Sequence, residues 1–156
     1  MTYAVQMVTA FLGSMGFSIL FNIRRTKLLI AGFGGALSWG VYLLFGAVLD
    51  DGPLRCFLAA VCVTVYAEIF ARVKKTPTTS FLVPGMIPLI PGGALYNTMQ
   101  YAIAGNWEQF GTAASYTIRV ALSLAAGIIV VSSVMRMVVA VIRFVRIRCI
   151  RPPQRK

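Results

Sequence analysis

The chain has 156 residues, 58% of them hydrophobic and only 12% charged, with 15 basic and 4 acidic side chains and a formal charge of +11. Typical soluble domains carry about 25% charged residues, and the few here cannot cover a water-facing surface, so the composition excludes a soluble globular enzyme and predicts an integral membrane protein. Histidine is absent, and Cys56, Cys62 and Cys149 show no CxxC spacing, so neither a metal site, a cofactor nor a disulfide framework is expected.

The first apolar run, Tyr3 to Phe21, matches the roughly 20 residues needed to cross a bilayer core. No basic residue precedes it, unlike the start of a signal peptide; Arg24, Arg25 and Lys27 follow it instead. The second run, Leu28 to Leu49, is uncharged and contains Gly32, Gly34, Gly35, Gly40 and Gly46. Such a glycine-rich span predicts a face that packs closely on another helix. Asp50, Asp51, Gly52 and Pro53 then predict a turn.

The third run, Leu54 to Ala71, holds Arg55 near its start and Glu68 near its end, and the basic residues Arg72, Lys74 and Lys75 follow. From Thr76 to Trp107 no residue is charged, but Pro77, Pro84, Pro88 and Pro91 interrupt the stretch. The last run, Ser115 to about Met135, holds Arg119 near one end, has Arg136 just past the other, and precedes Arg143, Arg146, Arg148, Arg151, Arg155 and Lys156.

These runs predict an all-α integral membrane protein of about five transmembrane helices, the fourth interrupted by a Pro/Gly-rich break. With the loops after spans one and three and the tail on one side, that side collects all but Arg55, Arg119 and Arg136 of the basic residues. The bias places the N-terminus outside and the C-terminus in the cytoplasm. Residues 1–145 are then the transmembrane domain and 146–156 a basic cytoplasmic tail suited to anionic lipid. Short basic clusters between apolar runs, with no aromatic or motif signal, argue against nucleic acid. An odd number of spans suits pairing with a second half of inverted topology. No internal repeat supplies that half, so a hetero-oligomer or homo-oligomer is expected.

The segment from Pro77 to Tyr96 carries the most information. Pro84, Pro88 and Pro91 with Gly85, Gly92 and Gly93 are incompatible with one regular helix. Irregular backbone at membrane depth must be buried by protein or line a watery cavity. A helix is expected to restart near Ala94. Its first N–H groups, reachable because residues 92 and 93 are glycines, make a binding place for a small carboxylate. Tyr96, Asn97, Thr98 and Gln100 add hydrogen-bonding groups. The competing reading is a kinked span packed on its neighbours.

Glu68 is the one acid inside an apolar run. It reads either as a proton-coupling or amine-binding carboxylate, or as the partner of Arg72 in an i,i+4 ion pair at the cytoplasmic interface. Arg119 reads as a snorkelling residue or as a second cationic site for an anionic substrate. A carried amino acid needs an anion for its amine, and a dicarboxylate needs a second cation; Glu68 and Arg119 keep both options open.

The run from Val83 to Tyr96 resembles the hallmark segment of the ThrE-type threonine/serine exporter family. Gly16-Phe17 through Phe21-Asn22, Gly34-Gly35 to Trp39-Gly40, and Ala71-Arg72 leading to Pro77 fit the small membrane subunit of its two-component members, over most of residues 1–145. The resemblance implies a multi-pass protein of the bacterial inner membrane and not an enzyme. It implies export of small carboxylates: threonine and serine, or succinate for the two-component form. It also implies a larger partner subunit with a cytosolic domain and the other five spans. It marks Pro84, Gly85, Pro88, Pro91, Gly92, Gly93 and Tyr96 as motif positions. The alternative is a non-transporting membrane scaffold or anchor for a partner, which the basic tail and glycine-rich second span suit equally. An intramembrane lipid enzyme would lack a catalytic set.

Overall fold

A computed structural model describes residues 3–150, and the expected tail beyond Ile150 lies outside the described residues. The described residues form six α-helices and one short 3₁₀ turn: α1 (Tyr3–Leu20), α2 (Arg25–Gly46), α3 (Gly52–Val73), α4 (Thr79–Met86), the 3₁₀ turn (Ile87–Leu89), α5 (Gly92–Ile103) and α6 (Trp107–Ile150). Helices α1, α2, α3 and α6 are each long and apolar enough to cross a membrane. Segments 79–89 and 92–103 pass the same test only as a pair, bent by 54° at their break, which is the form of a broken span or a re-entrant loop. The expected all-helical architecture with an interrupted fourth span is therefore present.

The helices end where local chemistry ends them. α1, α3 and α5 each finish with a residue in the left-handed region, at Asn22, Lys75 and Gly105. In each case the next amide turns back to the helix: Ile23 N–H to the Ser18 carbonyl at 3.0 Å, Thr76 to Ala71 at 2.9 Å, and Asn106 to Tyr101 at 3.0 Å. This is the Schellman closure, which satisfies carbonyls that the helix leaves open. α6 is preceded by Asn106, whose side-chain oxygen accepts the Gln109 amide at 3.3 Å, as an N-cap does.

α3 is the central helix; it packs on α2, α4 and α6 and is the most buried of the spans. Its inward face is made of Ala59, Ala60, Val63, Ala67 and Ala71. Lipid tails are as apolar as leucine, so helices here gain by close approach rather than by hiding greasy side chains from water. The seams follow that rule. A Cβ at Gly127 of α6 would sit 2.9 Å from Ala60 Cβ and 3.0 Å from the Phe57 carbonyl of α3. Gly34 of α2 and Gly85 of α4 lie backbone to backbone, and a Cβ on Gly35 would overlap the Ser14 hydroxyl of α1. The glycine-rich face expected of the second span is thus the face that receives α1 and α4.

The break is shorter than the proline count suggests. Pro84 and Gly85 belong to α4, fully inside the packing. A proline cannot donate to the preceding turn, yet one lost bond is tolerated where neighbouring helices clamp the segment. The last helix also differs from the expected run. It is continuous over 44 residues, beginning eight positions before Ser115 and reaching Ile150.

Candidate substrate cleft at the broken span

Two residues make the joint between the half-spans. After the 3₁₀ turn, Ile90 is extended, and Pro91 adopts φ −76° and ψ 56°. The Gly92 amide donates to the Ile90 carbonyl at 2.7 Å across Pro91, which is an inverse γ-turn. α5 begins at once, and no side chain caps its N-terminus. The Leu95 amide returns to the Pro91 carbonyl at 2.9 Å. The amides of Gly93 and Ala94 take no backbone partner among the described hydrogen bonds. Uncapped amides at a helix start carry partial positive charge. Positions 92 and 93 have no atom within 4 Å of where a Cβ would stand, so the approach to these amides is open.

This joint forms one wall of a cleft of about 730 Å³, within the roughly 300–1,000 Å³ usual for small-molecule sites. Residues Pro88 to Ala94 contribute that wall, with Asn97 and Tyr101 farther along α5. Trp39 and Tyr42 of α2, Cys56 of α3, and Thr112, Ala113, Tyr116 and Val120 of α6 complete the lining. No described lining residue carries a charge. The chemistry on offer is three phenol hydroxyls, a threonine hydroxyl, a carboxamide and the α5 amides, set in apolar walls. That combination suits a small polar solute with an acceptor group better than an apolar one.

The packing around the cleft is specific. Trp39 stacks on Tyr42 with ring centroids 5.1 Å apart, and its indole N–H donates to the Gln6 side-chain oxygen at 3.3 Å. α5 is held to α6 by the Thr98 and Thr117 hydroxyls, 3.2 Å apart. α4 is held to α2 by the Ser38 hydroxyl, which donates to the Gly85 carbonyl at 2.7 Å. Each half of the broken span therefore has its own partner helix.

The candidate residues from sequence divide into groups. Pro88, Pro91, Gly92 and Gly93 line the cleft. Pro84 and Gly85 do not; they fill the contact between α4 and its neighbours. Tyr96 is exposed and borders a smaller, apolar depression with Met99, Gln100 and Ile103 on another face of α5. Glu68 and Arg72 form the i,i+4 ion pair at 3.1 Å, outside the cleft lining. Arg119 is exposed, its Nε 3.4 Å from the Ser115 carbonyl of its own helix. Sequence reasoning missed Trp39, Tyr42 and Tyr116. The available signal was a few large polar-tipped aromatics inside otherwise apolar runs, since such side chains need a partner for the polar tip when buried.

The family model described as Threonine/Serine exporter, ThrE, matches residues 6–134. The chain belongs to this exporter family. The match covers most of α1, all of α2 to α5 and α6 as far as residue 134, and it includes every residue that lines the cleft. Neither the curated proteins nor the solved structures give a match to this chain. The family is one of transporters, and the long apolar helices make the chain a multi-pass membrane protein.

Proposed function

We propose that the chain is a membrane subunit of a secondary exporter for small carboxylates, either threonine and serine or succinate-like dicarboxylates. It works in the bacterial inner membrane with a larger subunit that carries a cytosolic domain. Residues 1–145 supply one half of a ten-span transporter, with the N-terminus outside and the basic C-terminal end in the cytoplasm against anionic lipid. The observation that carries this reading is the open, uncapped start of α5 facing a cleft that the broken span itself walls. A discontinuous helix that turns its N-terminal amides to a mid-membrane cleft is a recurrent way to hold a carboxylate in transporters.

The experiment is efflux from loaded cells that lack the endogenous system, with the chain expressed alone and with its larger partner. Threonine, serine and succinate form the panel. Efflux of at least one of them, dependent on both chains, is the expected result. Correct insertion without efflux of any compound would overturn the transport reading in favour of a scaffold.

A further inference from the structure

Tyr42 is the one wall residue shared by the main cleft and a second cleft of about 640 Å³ between α1 and the end of α2. Arg55 of α3 lines that second cleft. Its side chain is 20% exposed, so most of the cation is withdrawn from solvent. Arg55 Nε donates to the Leu49 carbonyl in the α2–α3 turn. One terminal nitrogen lies beside Gly46, 3.4 Å from where a Cβ would stand. The other is 3.8 Å from a carboxylate oxygen of Asp50, whose own side chain is wholly exposed. That separation is beyond hydrogen-bond length, and the fully solvated acid offsets little of the charge. The Tyr42 hydroxyl has Arg55 as a hydrogen-bonding neighbour, with Cys56 and Tyr116 also close. No acidic residue lines either cleft.

A guanidinium presents five donors in a fixed fork, and only one of them here has a backbone acceptor. A mostly buried arginine with a distant, solvated acid, next to the Tyr42 hydroxyl and one phenol removed from Tyr116, is an anion receptor in want of its anion. We propose that Arg55, with the hydroxyls of Tyr42 and Tyr116, recognises the carboxylate of the carried solute where the two clefts meet at Tyr42. This site deepens the exporter reading on which it rests, by adding a charged recognition group to a cleft whose own lining is neutral. Arg55 selects for a carboxylate over its uncharged amide, which the α5 amides alone discriminate less sharply. Under the orientation proposed above, this end faces outward, so the same residue receives the solute before release.

The chain carries its own reporter. Trp39 stacks against Tyr42 inside the cleft, and Trp107 is exposed at the start of α6. The Trp107→Phe chain in lipid nanodiscs leaves Trp39 as the single indole. Its emission is titrated with succinate, threonine and succinamide. A saturable change with a carboxylate and none with succinamide is expected, with a Kd raised at least tenfold in Arg55→Gln and less in Arg55→Lys. Tyr42 loses only a hydroxyl in Tyr42→Phe, so that variant covers the case in which Arg55→Gln fails to insert; its Kd should rise about threefold. Equal Kd values in the parent and in whichever of these variants inserts, no response to any carboxylate, or an equal response to succinamide would each overturn the proposal. Efflux is measured in parallel. Carboxylate binding that depends on Arg55 without efflux would sink the exporter reading and leave this site standing. Efflux unchanged in Arg55→Gln would do the reverse.

Discussion

The Ser38 hydroxyl lies 2.7 Å from the carbonyl oxygen of Gly85, across the contact between α2 and α4. Both residues are buried, and the same hydroxyl also reaches the Gly35 carbonyl of its own helix at 2.8 Å. This bond pins the half-span that leads into the cleft, just before the proline at position 88 removes a backbone donor. Ser38→Ala should therefore lower stability by about 1 kcal/mol, the upper part of the range for a buried hydrogen bond between membrane helices. Unfolding in mixed micelles measures it; an unchanged midpoint would show that the Gly85 carbonyl finds another donor.

Glycines 85 and 92 should behave oppositely. A Cβ on Gly85 would stand 2.8 Å from a Val63 methyl, whereas Gly92 has open space. Gly85→Ala should destabilise by about 1–3 kcal/mol through overpacking. Gly92→Val should insert normally yet cut efflux about tenfold, the effect of losing about 1.4 kcal/mol of solute binding. Membrane yield and efflux, read together, separate the two outcomes, and unimpaired efflux by Gly92→Val would remove the joint from the binding site.

The Glu68–Arg72 pair stands outside the cleft, and its arginine is 40% exposed. A pair of this kind contributes less than about 1 kcal/mol. Glu68→Gln should leave efflux within about twofold of the parent. Near-complete loss of efflux with normal membrane levels would instead assign Glu68 to proton coupling.

The α3–α6 seam depends on Gly127, where an added Cβ would press on both Ala60 and the Phe57 backbone. Gly127→Leu should cost about 3 kcal/mol or more, since backbone cannot give way as a flexible side chain does. The same substitution at Gly111, which has no neighbour within 4 Å of its Cβ position, should be tolerated. Thermal midpoints of the two variants in detergent test the contrast.

Much of the fold was legible because a span announces itself by length and apolarity alone. The runs that begin at Tyr3, Leu28 and Leu54 became α1, α2 and α3 within a few residues. Which face of a span meets protein is harder to read, because lipid and protein interior are both apolar and the helical periodicity of hydrophobicity fades. That is why Trp39, Tyr42 and Tyr116 escaped notice while Pro88, Pro91, Gly92 and Gly93 did not. Backbone interruption leaves a mark in sequence, whereas a wall built from distant helices leaves none. Pro84 and Gly85 carried the same mark for a different reason: they let α4 sit tightly in the bundle.

The length of α6 has a geometric corollary. Forty-four helical residues extend about 66 Å at 1.5 Å per residue. A hydrocarbon core is about 30 Å thick, so even a strongly tilted passage uses about 40 Å of that rod. At least 20 Å or so must stand beyond the lipid tails. The helix whose early turns wall the cleft with Thr112 and Tyr116 is thus also a stiff lever, and a body in the aqueous phase that grips its far end can push on the cleft without entering the membrane.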